Sequence, residues 1–130
     1  MLFRSGLADR ITLFEGNFFK ALPLESQFDL IISNPPYVPT NEIATLQPEV
    51  RDFDPRAALD GGADGLACYR LIAREGLRFL KPGGKCMVEL GDEQGERVRE
   101  IFEKENWIVD AVIEDYTRKP RIMVASARTV

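Results

Sequence analysis

Three consecutive aliphatic residues, Leu30-Ile31-Ile32, stop at Ser33 and lead at once into Asn34-Pro35-Pro36-Tyr37. A continuous apolar run of this length reads as a parallel strand covered on both faces, which commits the chain to a sheet flanked by helices. In open sheets of that kind, ligands bind beyond the carboxyl ends of the strands, so Asn34 stands where chemistry is expected. The residue before a proline is pushed toward extended backbone, and Pro36 has no amide hydrogen to donate. The Asn34 side chain and the Pro35 carbonyl are therefore both expected to point outward as acceptors, and two acceptors suit one NH2 group. The same letters also read as a strand and a proline-stiffened turn, since Asn-Pro is a common turn signal.

Along the rest of the chain, Ile11 to Phe14 reads as a short strand with Gly16-Asn17-Phe18-Phe19 at its carboxyl end. Leu66, Tyr69, Ile72, Ala73, Leu77 and Leu80 recur at helical spacing, with Asp64 placed to cap that helix and Lys81-Pro82-Gly83-Gly84 to stop it. Cys86 to Leu90 is expected to form a buried strand, and Gln94 to Glu105 a helix with Val98, Ile101 and Phe102 inward. Trp107 to Glu114 and Ile122 to Ala127 supply the last two strands. The fold class is therefore α/β, a mostly parallel sheet with an antiparallel strand near its edge. Pro39 to Leu59 is a long loop able to cover a substrate, and there are no repeats or low-complexity tracts.

Composition narrows the chemistry. A length of 130 residues with 45% hydrophobic content fits one domain with its own core. No apolar run approaches the roughly 20 residues needed to span a bilayer, and no signal-peptide pattern opens the chain, so no membrane partner and a cytoplasmic location are expected. The sequence has no histidine, which removes histidine-based acid/base and metal chemistry, and no metal site is expected. Cys68 and Cys86 lack partners at metal-like spacing and read as reduced thiols, one on a helix and one in a strand. With 17 basic and 21 acidic residues the net charge is −4, which offers no broad footprint for nucleic acid. Arg118, Lys119 and Arg121 form a local basic cluster that reads as a solvated turn.

A second patterned block, Phe53-Asp54-Pro55-Arg56-Ala57-Ala58-Leu59-Asp60-Gly61-Gly62-Ala63-Asp64-Gly65-Leu66, follows the Asn-Pro-Pro-Tyr segment, and Glu89-Leu90-Gly91 with Gln94 follows later. Together these motifs resemble the protein-(glutamine-N5) methyltransferases of the HemK/PrmC family, which modify peptide chain release factors. The resemblance runs from about Gly6 to the C-terminus and covers the C-terminal part of a catalytic domain, so residues 1–130 are expected to be a single domain of that kind. Residues 1–5 match nothing in the family pattern and are expected to be an aberrant or disordered start. It implies a partial class I S-adenosylmethionine-dependent methyltransferase sheet, Rossmann-like and lacking its first two strands. No Gly-x-Gly-x-Gly pattern precedes Asn34, which counts against activity of this chain by itself. The gap left by two strands leads us to expect Ile11 to Phe14 displaced, paired with another chain or poorly ordered, and the Asp29 strand exposed as an apolar edge prone to self-association.

By the same resemblance, the reaction is methyl transfer from S-adenosylmethionine to the side-chain amide nitrogen of a glutamine in a release factor. Asn34 and Pro35 accept the two N–H groups of that amide, Pro36 keeps the loop rigid, and Tyr37 flanks the substrate. Asn17 and Phe18 match positions near the adenine, and Asn34 lies near the methyl donor. The family usually has aspartate where Asn17 stands and glutamate where Asp54 stands. Asp54, Pro55, Ala58, Leu59, Gly61 and Gly65 are expected to be scaffold for the loop. Two alternatives stay open: a DNA adenine methyltransferase fragment, for which the same motif would grip a flipped base, and a non-catalytic module that pairs through its sheet edge.

Overall fold

The computed structural model describes residues 8–45 and 59–128. The expectations for residues 1–5 and for Asp54, Pro55 and Ala58 lie outside the described residues. The regular elements are β1 (Phe28–Ser33), α1 (Ala67–Glu75), β2 (Leu80–Glu89), α2 (Gly95–Lys104), β3 (Trp107–Glu114) and β4 (Pro120–Ala127). The strands form one sheet in the order β1-β2-β4-β3. β1 runs parallel to β2, whereas β4 is antiparallel to both β2 and β3. Three strands thus point one way and β4, next to the edge, runs against them, as the alternation of patterns implies.

Each helix forms because its apolar residues return to one side. Tyr69, Ile72 and Ala73 of α1 are buried, as are Val98 and Phe102 of α2, at the i, i+3, i+4 spacings that share a helix face. Asp64 acts just ahead of α1: its Oδ1 accepts the Leu66 N–H at 3.0 Å, and its carboxylate pairs with the Arg70 guanidinium. That guanidinium holds the Asp64 carboxyl below the usual range, at about 2. α2 ends where Asn106 adopts a left-handed φ of 68°, which hands the chain to Trp107 and β3.

Both helices cover the same face of the sheet. Cys86 and Val88 of β2 pair with Ala125 and Met123 of β4, and all four are buried with Leu66, Tyr69, Ile72, Val98, Phe102 and Trp107. The Trp107 indole N–H donates to the Ala73 carbonyl at 2.9 Å and its ring lies 5.2 Å from that of Phe102, tying β3 to both helices. Burial pushes the Cys86 thiol up to about 12 and raises that of Cys68 as well, so neither is a ready thiolate.

The opposite face is bare among the described residues, and this corrects three expectations. First, the Leu30-Ile31-Ile32 run is not covered on both sides: Ile31 turns to the core, while Leu30 is 46% and Ile32 71% exposed. β1 is an outer strand, and Ile108 and Ile113 of β3 are likewise exposed on the bare side. Consequently β2 alternates, with Lys85 and Glu89 exposed between buried Cys86, Val88 and Leu90, instead of being buried throughout. Second, Ile11 to Phe14 forms no strand, and no strand among the described residues offers it a ladder. Third, the helix expected to reach Leu80 ends at Glu75, tightens into a 3-10 turn over Gly76–Phe79, and gives way to β2 at Leu80. Lys81-Pro82-Gly83-Gly84 lies inside β2: Phe28 pairs with Leu80 and Leu30 with Lys85, so the segment between bulges out of the ladder, helped by Gly83 at φ 78°.

The basic cluster sits at the β3–β4 hairpin. Asp115 accepts from the Thr117 N–H at 2.8 Å, the Thr117 hydroxyl at 2.6 Å and the Arg121 Nε at 2.8 Å. Those donors hold its carboxyl well below the usual range. Arg121 also reaches Asp92 at 2.8 Å, so it is committed to the turn and is not a loose anion-binding charge.

Candidate functional site

β1 ends at Ser33 and delivers Asn34 to the carboxyl edge of the sheet. Asn34 is exposed, Pro35 is buried, and Pro36 and Tyr37 are half-buried. The side chain of Asn34 and the carbonyl of Pro35 accept no hydrogen bond from the described residues. Asn34 lines a depression of about 140 Å³ together with Ile32, Ser33, Met87, Glu89 and Ile122. Two acceptors without a hydrogen bond among the described residues thus follow each other in the chain just past β1, with Asn34 in the wall of the hollow and Pro35 buried behind it.

The segment is held from behind by the glycine-rich block picked out in the sequence. Val38 N–H donates to the Leu59 carbonyl at 2.9 Å, Gly61 N–H to the Val38 carbonyl at 2.7 Å, and Thr40 N–H to the Gly62 carbonyl at 2.9 Å. The Thr40 hydroxyl adds a bond to Asp60 Oδ1 at 2.6 Å. Gly65 has φ 78° and lies so near the Tyr37 carbonyl that a Cβ would come within 2.5 Å of it. No other residue type fits that position without moving the loop. Gly91, after β2, is equally constrained, because a Cβ there would strike the Tyr37 ring and the Gln94 side chain.

Glu89 and Tyr69 complete this wall. The buried Tyr69 hydroxyl donates to the Glu89 carbonyl at 2.7 Å, which anchors the end of β2, while Glu89 also lines the depression beside Asn34. Burial raises the Tyr69 phenol, so it remains a neutral donor. Neither Glu89 nor Ser33 was assigned a role by sequence reasoning. Their place at the ends of paired strands, Ser33 opposite Val88, is the signal that finds them.

Asn17 immediately precedes a 3-10 turn over Phe18–Ala21, which Phe18 opens, and both are exposed. Phe18 has φ 51°, an unusual conformation for a residue with a side chain. It lines a cavity of about 420 Å³ with Phe14, Phe19, Ile31, Ile32 and Ser33, among others. Phe19 turns inward and stacks on Phe79 with ring centres 4.9 Å apart. Phe18 and Asn34 thus line two hollows that share Ile32 and Ser33 at the end of β1. Asn17 lines neither hollow. Among the described residues no group of carboxylates and thiols is arranged to hold a metal ion, and no helix is long and apolar enough to cross a membrane.

No protein-family model matches the chain. It is 56% identical over 95 residues to the release factor glutamine methyltransferase of Geobacter sulfurreducens, covering 73% of this chain and 33% of that protein. It is 44% identical over 120 residues to the release factor glutamine methyltransferase of Agrobacterium fabrum, covering 92% of this chain and 41% of that protein. The chain spans less than half the length of these relatives. Among solved structures, a release-factor-specific protein-(glutamine-N5) methyltransferase from Alicyclobacillus acidocaldarius superposes with a TM-score of 0.51 at 21% identity, covering 79% of this chain and 50% of that one. The fold is accordingly part of a class I methyltransferase sheet.

Proposed function

The chain is a relative of the release factor glutamine methyltransferases over the stretch it shares with them, and from that kinship we propose that it is the C-terminal portion of such a catalytic domain, carrying the amide grip. One observation supports this most: the adjacent, unused acceptors of Asn34 and Pro35 at the carboxyl end of β1. The reaction is methylation of a glutamine side-chain amide in a peptide chain release factor, which places the chain in the cytoplasm and calls for no nucleic-acid contact. An amide nitrogen is a weak nucleophile because its lone pair is shared with the carbonyl. The Asn34 oxygen and the Pro35 carbonyl accept its two N–H groups, orient the nitrogen and favour its pyramidal form, so that positioning and electrostatics supply the rate. Pro36 stiffens the segment, and the exposed part of Tyr37 flanks the substrate amide.

S-adenosylmethionine, when bound, supplies an electrophilic methyl group. The residues present fit its adenine end: the 420 Å³ cavity falls in the size range of small-molecule sites and has Phe14, Phe18 and Phe19 among its walls. We assign Phe18 to stack on the adenine and Asn34 to border the methyl; Asn17, next to Phe18 but outside the cavity's lining, would have to turn toward the cavity to accept from the adenine amino group. None of the cavity's lining residues is a carboxylate that could hold a ribose. Titration calorimetry of the chain with S-adenosylmethionine, followed by mass analysis of a release factor incubated with both, tests the proposal. Saturable binding and one added methyl on a glutamine are the expected results. A folded chain that binds no cofactor lacks the assigned half-site, and methylation of duplex DNA in place of the release factor would support the adenine alternative.

We further propose that the free edge of β1 pairs with a second copy. An antiparallel pairing centred on Leu30 would set Phe28 opposite Ile32, joining apolar residues that are 37% and 71% exposed. Sedimentation is expected to show a concentration-dependent dimer that Ile32→Lys abolishes. An unaltered dimer in Ile32→Lys, or a monomer at every concentration, would refute the pairing.

A further inference from the structure

Between the end of β1 and Val38, the chain has few means of being held in place. Pro35 and Pro36 have no N–H to donate, and apart from the β1–β2 ladder one hydrogen bond reaches residues 34–37 among those described: Gln94 Nε2 donates to the Tyr37 carbonyl at 3.1 Å. The same nitrogen lies 3.4 Å from the Gly65 carbonyl. One amide group thus ties together three segments distant in sequence, namely the end of β1, the glycine-rich block and the start of α2. Gln94 is itself well anchored, since its N–H donates to the Gly91 carbonyl at 3.2 Å and its carbonyl accepts from Val98 at 2.9 Å.

The cost of this arrangement is visible in the other half of the amide. Gln94 Oε1 is buried and has no hydrogen-bond partner among the described residues. Turning the amide over would not help, because Oε1 would then face two carbonyl oxygens and both bonds would be lost. A methionine would fill a similar space and leave no orphan acceptor. What glutamine does there that methionine does not is donate to two carbonyls.

We propose that Gln94 is a positioning residue: its amide latches the Tyr37 and Gly65 carbonyls and thereby sets the direction of the Asn34 and Pro35 acceptors three and two residues upstream. The rigid φ of two successive prolines transmits that orientation along the segment. The latch is a property of the loop. Its bearing on methyl transfer rests on the glutamine-methylating reading above.

The test compares Gln94→Glu and Gln94→Met with the parent chain, each confirmed folded by circular dichroism and Trp107 fluorescence. The readouts are hydrogen exchange at the Val38 and Gly61 N–H groups and the NMR resonances of the Asn34 side-chain NH2, followed between about pH 4 and 8. A protonated glutamic acid can still donate to one carbonyl, whereas its ionised form repels both. Corrected for intrinsic exchange, protection is expected to be flat with pH in the parent, about tenfold weaker throughout in Gln94→Met, and lost in Gln94→Glu only as the carboxyl ionises. Recovery of Gln94→Glu at low pH is a signature that lost packing alone does not give. Parent-like protection and unmoved Asn34 resonances in Gln94→Glu at high pH would overturn the latch. If the loop loosens but kcat for methyl transfer stays at the parent value, the positioning role is wrong. If the parent transfers no methyl group yet the pH-dependent loosening appears, the latch stands and the methylating reading fails.

Discussion

Replacing Asn34 with alanine is expected to lower the turnover of glutamine methylation by about a hundred- to a thousand-fold, the range seen when one preorganised hydrogen-bonding group is removed from a transition-state site. The suitable parent is this chain joined to the preceding part of the Geobacter sulfurreducens relative, of which it covers 33%. The loss should fall on kcat and not on KM, because the Asn34 oxygen matters most when the amide nitrogen leaves planarity and its N–H groups become more acidic. The Pro35 carbonyl, which no side-chain substitution removes, would continue to hold one N–H and preserve part of the binding. Stability should hardly change: Asn34 is exposed and without a partner among the described residues, and such surface substitutions typically fall within about 0.5 kcal/mol. Asn34→Asp keeps an acceptor and should retain more turnover than Asn34→Ala. Steady-state rates with a release-factor substrate decide the matter, and an alanine variant as fast as its parent would end the amide-grip account.

The parts of this fold that could be read from sequence are those whose pattern is local. β3 runs from Trp107 to Glu114 as expected, and α2 differs from expectation by a residue at each end, because Val98, Ile101 and Phe102 repeat at a spacing that only a helix satisfies. Burial was less legible. Leu30, Ile31 and Ile32 read as a strand covered on both faces, yet what covers a strand is decided by other elements, and both helices described here lie on the Ile31 side. Ile11 to Phe14 failed for a related reason, since a strand exists only through its neighbour. The position of Asn34 and Pro35 just past a strand end was legible from the apolar run and the prolines that follow it. The contact of Gln94 with Tyr37, 57 residues away, was not, because no spacing rule links a β2–α2 turn to a loop after β1.

A Trp107→Ala substitution is expected to cost about 3–5 kcal/mol, the usual penalty for emptying a large aromatic site in a core. Trp107 is fully buried, its ring packs on Phe102, and its N–H satisfies the Ala73 carbonyl, so truncation removes apolar contacts and orphans a buried acceptor on α1. It also removes support from Gly76, whose Cα region approaches the indole so closely that a Cβ would lie 3.2 Å from it. A domain of this kind typically holds only about 5–15 kcal/mol in reserve, and here one sheet face contributes little, since Leu30, Ile32, Ile108 and Ile113 remain exposed. The melting temperature followed by far-ultraviolet circular dichroism should therefore fall by roughly 10 °C or more. Trp107→Phe separates the terms: it keeps much of the ring packing and loses the hydrogen bond, so a cost of about 1–3 kcal/mol is expected. Ile32→Ala on the bare face should cost well under 1 kcal/mol in dilute solution, although isoleucine is among the most apolar residues of the chain. If Ile32→Ala proved as damaging as Trp107→Ala, the bare face would have to be covered in solution, and the division of the sheet into a packed side and an open one would be wrong.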